Sequence, residues 1–179
     1  MESLGTRRIV RIGSLAVAYA ALALALPALD LGLFQVRLAE ALMVFCLFSK
    51  DAVFALTLGC FASNTFGQYG DIEGLIGTTT TLVMGLLLFA LRKKIGIILA
   101  AFIAAVVTAL TIGTYSIISS GSDGLLINMG KMAVSEFFTV AAGGVIIKYQ
   151  LMRSKRVKRF FSDSEPPKPA AESAAAAEQ

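Results

Sequence analysis

The chain contains no histidine and no tryptophan, and only two cysteines and four prolines among its 179 residues. Without histidine, His-based general-base chemistry is excluded. Cys46 and Cys60 alone are too few for a Cys/His metal site. Both lie within apolar segments, where cysteine reads as a small packing residue. Charge is also scarce, at 16% of residues, and unevenly placed. The formal net charge of +4 gathers at the ends of apolar runs, which argues against a nucleic-acid surface. What the chain has in excess is hydrophobicity: 56% of residues are apolar, against about 45–50% in soluble domains.

With a mean hydropathy of +0.76, several runs approach or exceed the roughly 20 apolar residues that cross a bilayer. Runs of that length are helices rather than barrel strands. The first run continues through Pro27 to Leu29, beyond a short signal-peptide core, and reads as a retained span. The expected spans are Ile9–Leu29, two short ones within Leu38–Phe66 divided at Lys50-Asp51, Ile72–Leu91, Ile95–Ile118 and Leu125–Met152. Leu33-Phe34-Gln35 would be a short connection after the first.

Charge placement decides that Leu38–Phe66 crosses twice. Arg7, Arg8 and Arg11 precede the first span, Arg92-Lys93-Lys94 follow the fourth, and Arg153, Lys155, Arg156, Lys158 and Arg159 follow the last. The positive-inside rule puts all three clusters in the cytoplasm, which requires an even number of crossings between them. The opposite connections carry Asp30, Asp71, Glu73 and Asp123. The expected architecture is an all-α, six-transmembrane-helix bundle with both termini cytoplasmic. Residues 1–8 form a basic leader, 9–152 the transmembrane domain, and 153–179 a basic and then disordered tail.

Charged groups among membrane helices are the informative exceptions, since each costs about 2.5–3.5 kcal/mol at a helix centre on insertion scales. Arg37 and Glu40, three apart, share a helix face and can pair. Gly59, Ser63 and Gly67 line one face of the third span, with Asn64 beside it, and a buried Asn needs hydrogen-bond partners. Asp71 and Glu73 open the fourth span, where acids suit the helix dipole. The threonines of Gly77–Thr81 can bond their own backbone. In the last span Asn128, Lys131, Met132, Ser135, Glu136 and Thr139 form one polar stripe. Tyr115, with Thr108 and Thr111, supplies an aromatic wall or core packing. Glu40, Asn64, Glu136, Arg37, Asn128, Lys131, Tyr115 and Asp71 therefore outline a pocket in the outer half of the bundle. On the first span, Ala16/Ala20 and Ala21/Ala25 have the small-xxx-small spacing of close helix contacts, within the chain or with a partner. No nucleotide-binding glycine loop is present, so uptake through such a pocket would draw energy from another subunit.

The segment Phe34-Gln35-Val36-Arg37-Leu38-Ala39-Glu40-Ala41-Leu42 resembles a signature of the queuosine precursor transporter (QueT) family. Gly59-Cys60-Phe61-Ala62-Ser63-Asn64, followed by a glycine-bearing loop and Asp71, is similar to a second family segment. Leu75-Ile76-Gly77-Thr78-Thr79-Thr80-Thr81-Leu82 continues it in character, and Ser135-Glu136 resembles the final-helix pair, with Ser where Gly is usual. The resemblance covers residues 9–152. It implies a substrate-binding S component of an energy-coupling factor (ECF) transporter in a bacterial cell membrane, binding a 7-deazaguanine queuosine precursor from outside. It also implies a non-enzymatic chain without a cofactor of its own, docked through small residues of its first helix on a coupling subunit with two ATPases. An S component for another vitamin or nucleobase-like nutrient, or a membrane scaffold without a ligand, are the competing expectations.

Overall fold

The computed structural model describes residues 2–25, 29–30, 35–66, 71–120, 125–151 and 153–154. The protein is an all-α membrane bundle of six helices. In chain order they are α1 (Glu2–Ala25), a 3-10 helix (Leu38–Leu47), α2 (Lys50–Phe66), α3 (Asp71–Leu91), α4 (Ile97–Ser120) and α5 (Leu125–Ile146). A π-helical turn, Ile147–Leu151, continues α5. Arg8–Ala25, Gly74–Leu91 and Met129–Tyr149 are each long and apolar enough to cross a bilayer, and Leu38–Leu47 and Ile97–Thr111 are shorter apolar stretches. The basic tail from Lys155 onward lies outside the described residues.

Three features differ from the sequence expectation. The helix α1 begins at Glu2, before the expected start of the first span at Ile9. The connection after α1 contains a two-residue antiparallel ladder, Leu29 opposite Val36 and Asp30 opposite Gln35. The ladder gives backbone groups leaving the helix a hydrogen-bond partner. Finally, the segment before Lys50 is a ten-residue 3-10 helix rather than an α-helix. Its i→i+3 bonds include Glu40 N–H to Arg37 O at 2.9 Å and, at its end, Phe48 N–H to Phe45 O at 3.0 Å. Runs of this type rarely exceed three or four residues, and the rise of about 2.0 Å per residue stretches ten residues to about 20 Å. An α-helix of ten residues reaches only about 15 Å. The tighter coil thus lengthens the reach of a segment with few residues.

Long-range contacts fix the helix directions. Asp51 of α2 meets Arg8 of α1, and Gly59 of α2 meets Ala16 and Tyr19 further along α1. The contacts advance together along both chains, so α1 and α2 run parallel, with the 3-10 helix as the return between them. By contrast, Asn64 near the end of α2 bonds Gly74 at the start of α3, whereas Val53 near the start of α2 faces Gly85. These two helices are antiparallel. Met43, Val44, Cys46, Leu56, Met84, Leu88 and Val140 form the fully buried centre.

The bundle turns large apolar side chains outward and keeps a set of polar ones inside, beside its apolar core. Ile98, Phe102, Leu126 and Phe138 are exposed, while Glu40, Thr80, Thr81, Thr108, Ser135, Glu136 and Thr139 are buried. Lipid tails impose that inversion, because they accept apolar side chains and cannot hydrogen-bond polar ones.

Candidate functional site

The 3-10 helix carries the first charged group of the site. Glu40 lies in its first turn and is 6% exposed. From α5 comes Glu136, 5% exposed, on the polar stripe read from the sequence. Both carboxylates line one cavity with Arg37, Gly77, Thr80, Thr81, Met84, Thr108 and Met132. The 3-10 helix with the residue before it, together with α3, α4 and α5, therefore builds the walls. The cavity measures about 20 Å³, enough to hold a water molecule.

Electrostatically the site sets one guanidinium against two carboxylates. Glu40 Oε1 accepts a hydrogen bond from the Tyr19 hydroxyl at 2.7 Å. Glu40 Oε2 and Glu136 Oε1 are buried and have no hydrogen-bond partner among the described residues. Buried carboxylate oxygens left in that state are costly. Both belong to side chains that line the common cavity, and a carboxylate oxygen in that state can accept a further hydrogen bond.

The hydroxyls add a second kind of contact. Thr80 donates to Ile76 O at 2.8 Å, and Thr81 donates its single hydroxyl hydrogen to Gly77 O at 3.0 Å, with Cys60 Sγ 3.3 Å away. With their hydrogens turned toward protein acceptors, both oxygens retain lone pairs for a donor in the cavity. Gly77 adds no side chain of its own, and Met84 and Met132 give apolar, adaptable surfaces. The lining therefore combines acceptor oxygens with apolar, adaptable side chains.

The structure thus brings Arg37, Glu40 and Glu136 together. It does not bring Asn64 to them. Asn64 Nδ2 donates to Gly74 O at 2.9 Å and Thr78 Oγ1 at 3.1 Å, with Cys60 Sγ at 3.4 Å. The amide joins α2 to α3, because an Asn facing a neighbouring helix in lipid satisfies itself there. Lys131 and Tyr115 are half-buried and do not line the cavity. The side chains of Asn128 and Asp71 lie outside the described residues. Among the described residues, no group of three or more His, Cys, Asp or Glu forms a possible metal site.

The alanines of α1 divide between two surfaces. Ala16 and Ala20 are half-buried, and the Ala16 carbonyl sits where a side chain at Gly59 would go. Ala21 and Ala25 are exposed on the outside of the bundle, near Val17 and Leu24.

Several groups of the site and its surroundings were not legible in the sequence. Tyr19 carries no polar periodicity and looks like one more apolar-face residue of α1. Thr80, Thr81 and Met84 belong to a run whose cavity-facing members cannot be chosen from spacing alone. Asp51, beside Lys50, looks like an interruption between apolar runs, yet it is 2% exposed and paired with Arg8 and Arg11.

The family model described as QueT transporter matches residues 9–153, from within α1 to beyond the end of α5. No curated protein and no solved structure matches the chain.

Proposed function

Because the chain belongs to the QueT transporter family, we propose that this membrane transporter protein is the substrate-binding S component of an ECF-type uptake system. Its ligand is a 7-deazaguanine precursor of queuosine, captured from outside a bacterial cell. The observation that carries this reading is a pair of buried carboxylate oxygens, Glu40 Oε2 and Glu136 Oε1, that have no hydrogen-bond partner among the described residues and belong to two side chains lining one cavity. A guanine-like edge presents adjacent N–H donors, and a carboxylate can accept two such bonds side by side, as it does from arginine. The second carboxylate then receives a further donor or cation on the ligand. With two carboxylates against Arg37, the site favours a 7-deazaguanine bearing a cationic aminomethyl group over a neutral analogue.

The cavity of about 20 Å³ is far smaller than a bicyclic base, so binding parts its walls. Methionines at Met84 and Met132 suit such repacking. The chain contributes recognition and no nucleotide chemistry. ATP is consumed by two partner ATPases, which act through a coupling membrane subunit. Ala21 and Ala25, exposed on α1, form the surface on which that subunit docks, since small residues let helices approach closely in lipid. Both termini face the cytoplasm, as the basic clusters require. A scaffold protein without a ligand would bury its polar side chains against one another. The unpartnered carboxylate oxygens favour capture instead.

Isothermal titration calorimetry of the detergent-purified protein tests the reading. The panel comprises 7-aminomethyl- and 7-cyano-7-deazaguanine, guanine, thiamine and riboflavin. Binding of the aminomethyl compound, weakened in Glu40→Gln and Glu136→Gln, is the expected result. Absence of binding to any deazaguanine, or affinity untouched by both substitutions, overturns the assignment.

A further inference from the structure

Tyr19 is the α1 residue that touches the ligand site, and it does so from behind. Its ring is buried at 3% exposure, and its hydroxyl donates to Glu40 Oε1 at 2.7 Å across 21 residues of sequence. Among the described residues, none of α1 lines the cavity. The ring lies close against α2 because Gly59 has no side chain. A Cβ at that position would fall 2.8 Å from Tyr19 Cβ and 2.6 Å from the Ala16 carbonyl oxygen. Gly59 thereby lets α1 approach closely enough for the phenol to reach the carboxylate on the 3-10 helix.

The bond divides the two oxygens of Glu40 between two tasks. Oε1 is engaged by Tyr19, and Oε2 is left without a hydrogen-bond partner among the described residues. A phenol donating to a carboxylate makes a short, charge-assisted bond of defined direction. It fixes the plane of the carboxylate and so the direction in which Oε2 can accept. That fixation matters more here than on an α-helix, because Glu40 sits in the first turn of a 3-10 helix, whose hydrogen-bond geometry is poorer. Tyr19 and the outward-facing Ala21 lie on opposite sides of α1, two residues apart. A displacement of α1 at its outer surface would therefore move the phenol relative to Glu40. If the bond broke, both oxygens of a buried carboxylate would be left unsatisfied.

We propose that Tyr19 is a positioning residue for Glu40, and that through this one hydrogen bond the grip on the ligand depends on where α1 sits against the 3-10 helix. The inference rests on Glu40 being a ligand group, as proposed above. It assigns to α1 a direct hold on the site that neither the cavity lining nor the sequence pattern reveals.

The test is a double-mutant cycle on the full chain, read by calorimetry with 7-aminomethyl-7-deazaguanine. Tyr19→Phe keeps the ring and removes the hydroxyl. It is expected to weaken binding about tenfold and, because it strips a buried carboxylate of its donor, also to lower the melting temperature of the unliganded protein. In the Glu40→Gln background the same substitution is expected to change affinity less than twofold, because the carboxylate it positions is gone. A second readout does not depend on comparing stabilities. Infrared difference spectra of wild type with and without ligand are expected to show a tyrosine C–O band that Glu40→Gln abolishes. Tyr19→Phe affinity within twofold of wild type, losses that multiply independently in the double variant, or no tyrosine band in wild type each overturn the inference alone. A wild-type protein that binds no deazaguanine overturns the proposed function, and this inference with it.

Discussion

Asp51, at the start of α2, is held by Arg8 of α1: its Oδ1 lies 2.9 Å from both Arg8 Nη2 and Nε. Arg11 Nη1 stands 3.9 Å from the other carboxylate oxygen. Asp51 and Arg11 are buried, at 2% and 5% exposure, while the Arg8 side chain is 52% exposed. The backbone N–H of Asp51 also donates to Ser49 Oγ at 3.2 Å. The junction fastens the start of α1 to the end of the 3-10 helix and the start of α2.

Removing the shared carboxylate leaves the buried Arg11 without this counter-charge. Breaking a buried pair in this way typically costs about 3–5 kcal/mol. Asp51→Ala is therefore expected to lower the melting temperature in detergent substantially. Arg8→Ala, at the exposed side of the junction, is expected to cost less, near the 1 kcal/mol or so of solvent-screened pairs. Thermal unfolding of the two variants side by side checks the order. Equal losses would show that burial does not govern this junction.

Gly59 is expected to tolerate no side chain. An added Cβ would meet the Ala16 carbonyl oxygen at 2.6 Å, and a backbone atom cannot swing aside as a side-chain end can. Overpacking of this kind costs about 1–3 kcal/mol. Gly59→Ala should lower stability, whereas Gly130→Ala, where nothing lies within 4 Å of the added Cβ, should leave it unchanged or slightly raise it. Detergent melting curves decide the comparison.

Asn64→Ala separates a structural amide from a ligand contact. Nδ2 bonds Gly74 O and Thr78 Oγ1 between α2 and α3, and each such half-buried hydrogen bond contributes about 0.5–1.5 kcal/mol. The expected outcome is a lower melting temperature with ligand affinity within about threefold of wild type. A large loss of affinity at unchanged stability would return Asn64 to the site.

Glu136→Gln keeps the shape of the side chain and removes its charge. Hydrogen bonds to charged groups contribute about 1.5–3 kcal/mol, so affinity for the aminomethyl compound should fall more than tenfold. The neutral 7-cyano compound should lose less. Parallel titrations with both compounds read the difference, and equal losses would remove the ligand's positive charge from the contact at Glu136.

Ala21 and Ala25 are exposed, whereas Ala16 and Ala20 are half-buried and the Ala16 carbonyl lies against Gly59 of α2. Ala21→Leu together with Ala25→Leu is therefore expected to leave ligand affinity and stability near wild type while abolishing co-purification with a coupling subunit and ATPases. Unchanged co-purification would place docking on another surface.

The helix boundaries show how far periodicity reaches. α3 begins within a residue of its expected start at Ile72 and ends at Leu91, and α4 and α5 likewise follow the apolar runs. Those runs are local, and lipid enforces them residue by residue. The division of Leu38–Phe66 was legible too, because charge parity demanded two passes and the structure breaks at Phe48-Ser49. The type of helix was not. Nothing in Leu38–Leu47 by itself selects i→i+3 over i→i+4 bonding.

The site was half legible for a similar reason. Glu40 and Glu136 stand out because a carboxylate in an apolar run is rare and must face inward. Asn64 stood out on the same grounds, but its partners are Gly74 and Thr78 of the next helix, and only packing brings them within reach. Tyr19 did not stand out, since a tyrosine on an apolar helix is ordinary until something meets its hydroxyl. By itself the sequence determined the membrane class, the number of helices and the inward burial of Glu40 and Glu136, because lipid makes each of those choices a matter of local composition. Only the tertiary structure decided that Tyr19 holds one of those carboxylates and that Asp51 joins α1 to α2. Those partners lie 21 and 43 residues apart, and their meeting depends on helix direction and on close approach at Gly59, which no local pattern encodes.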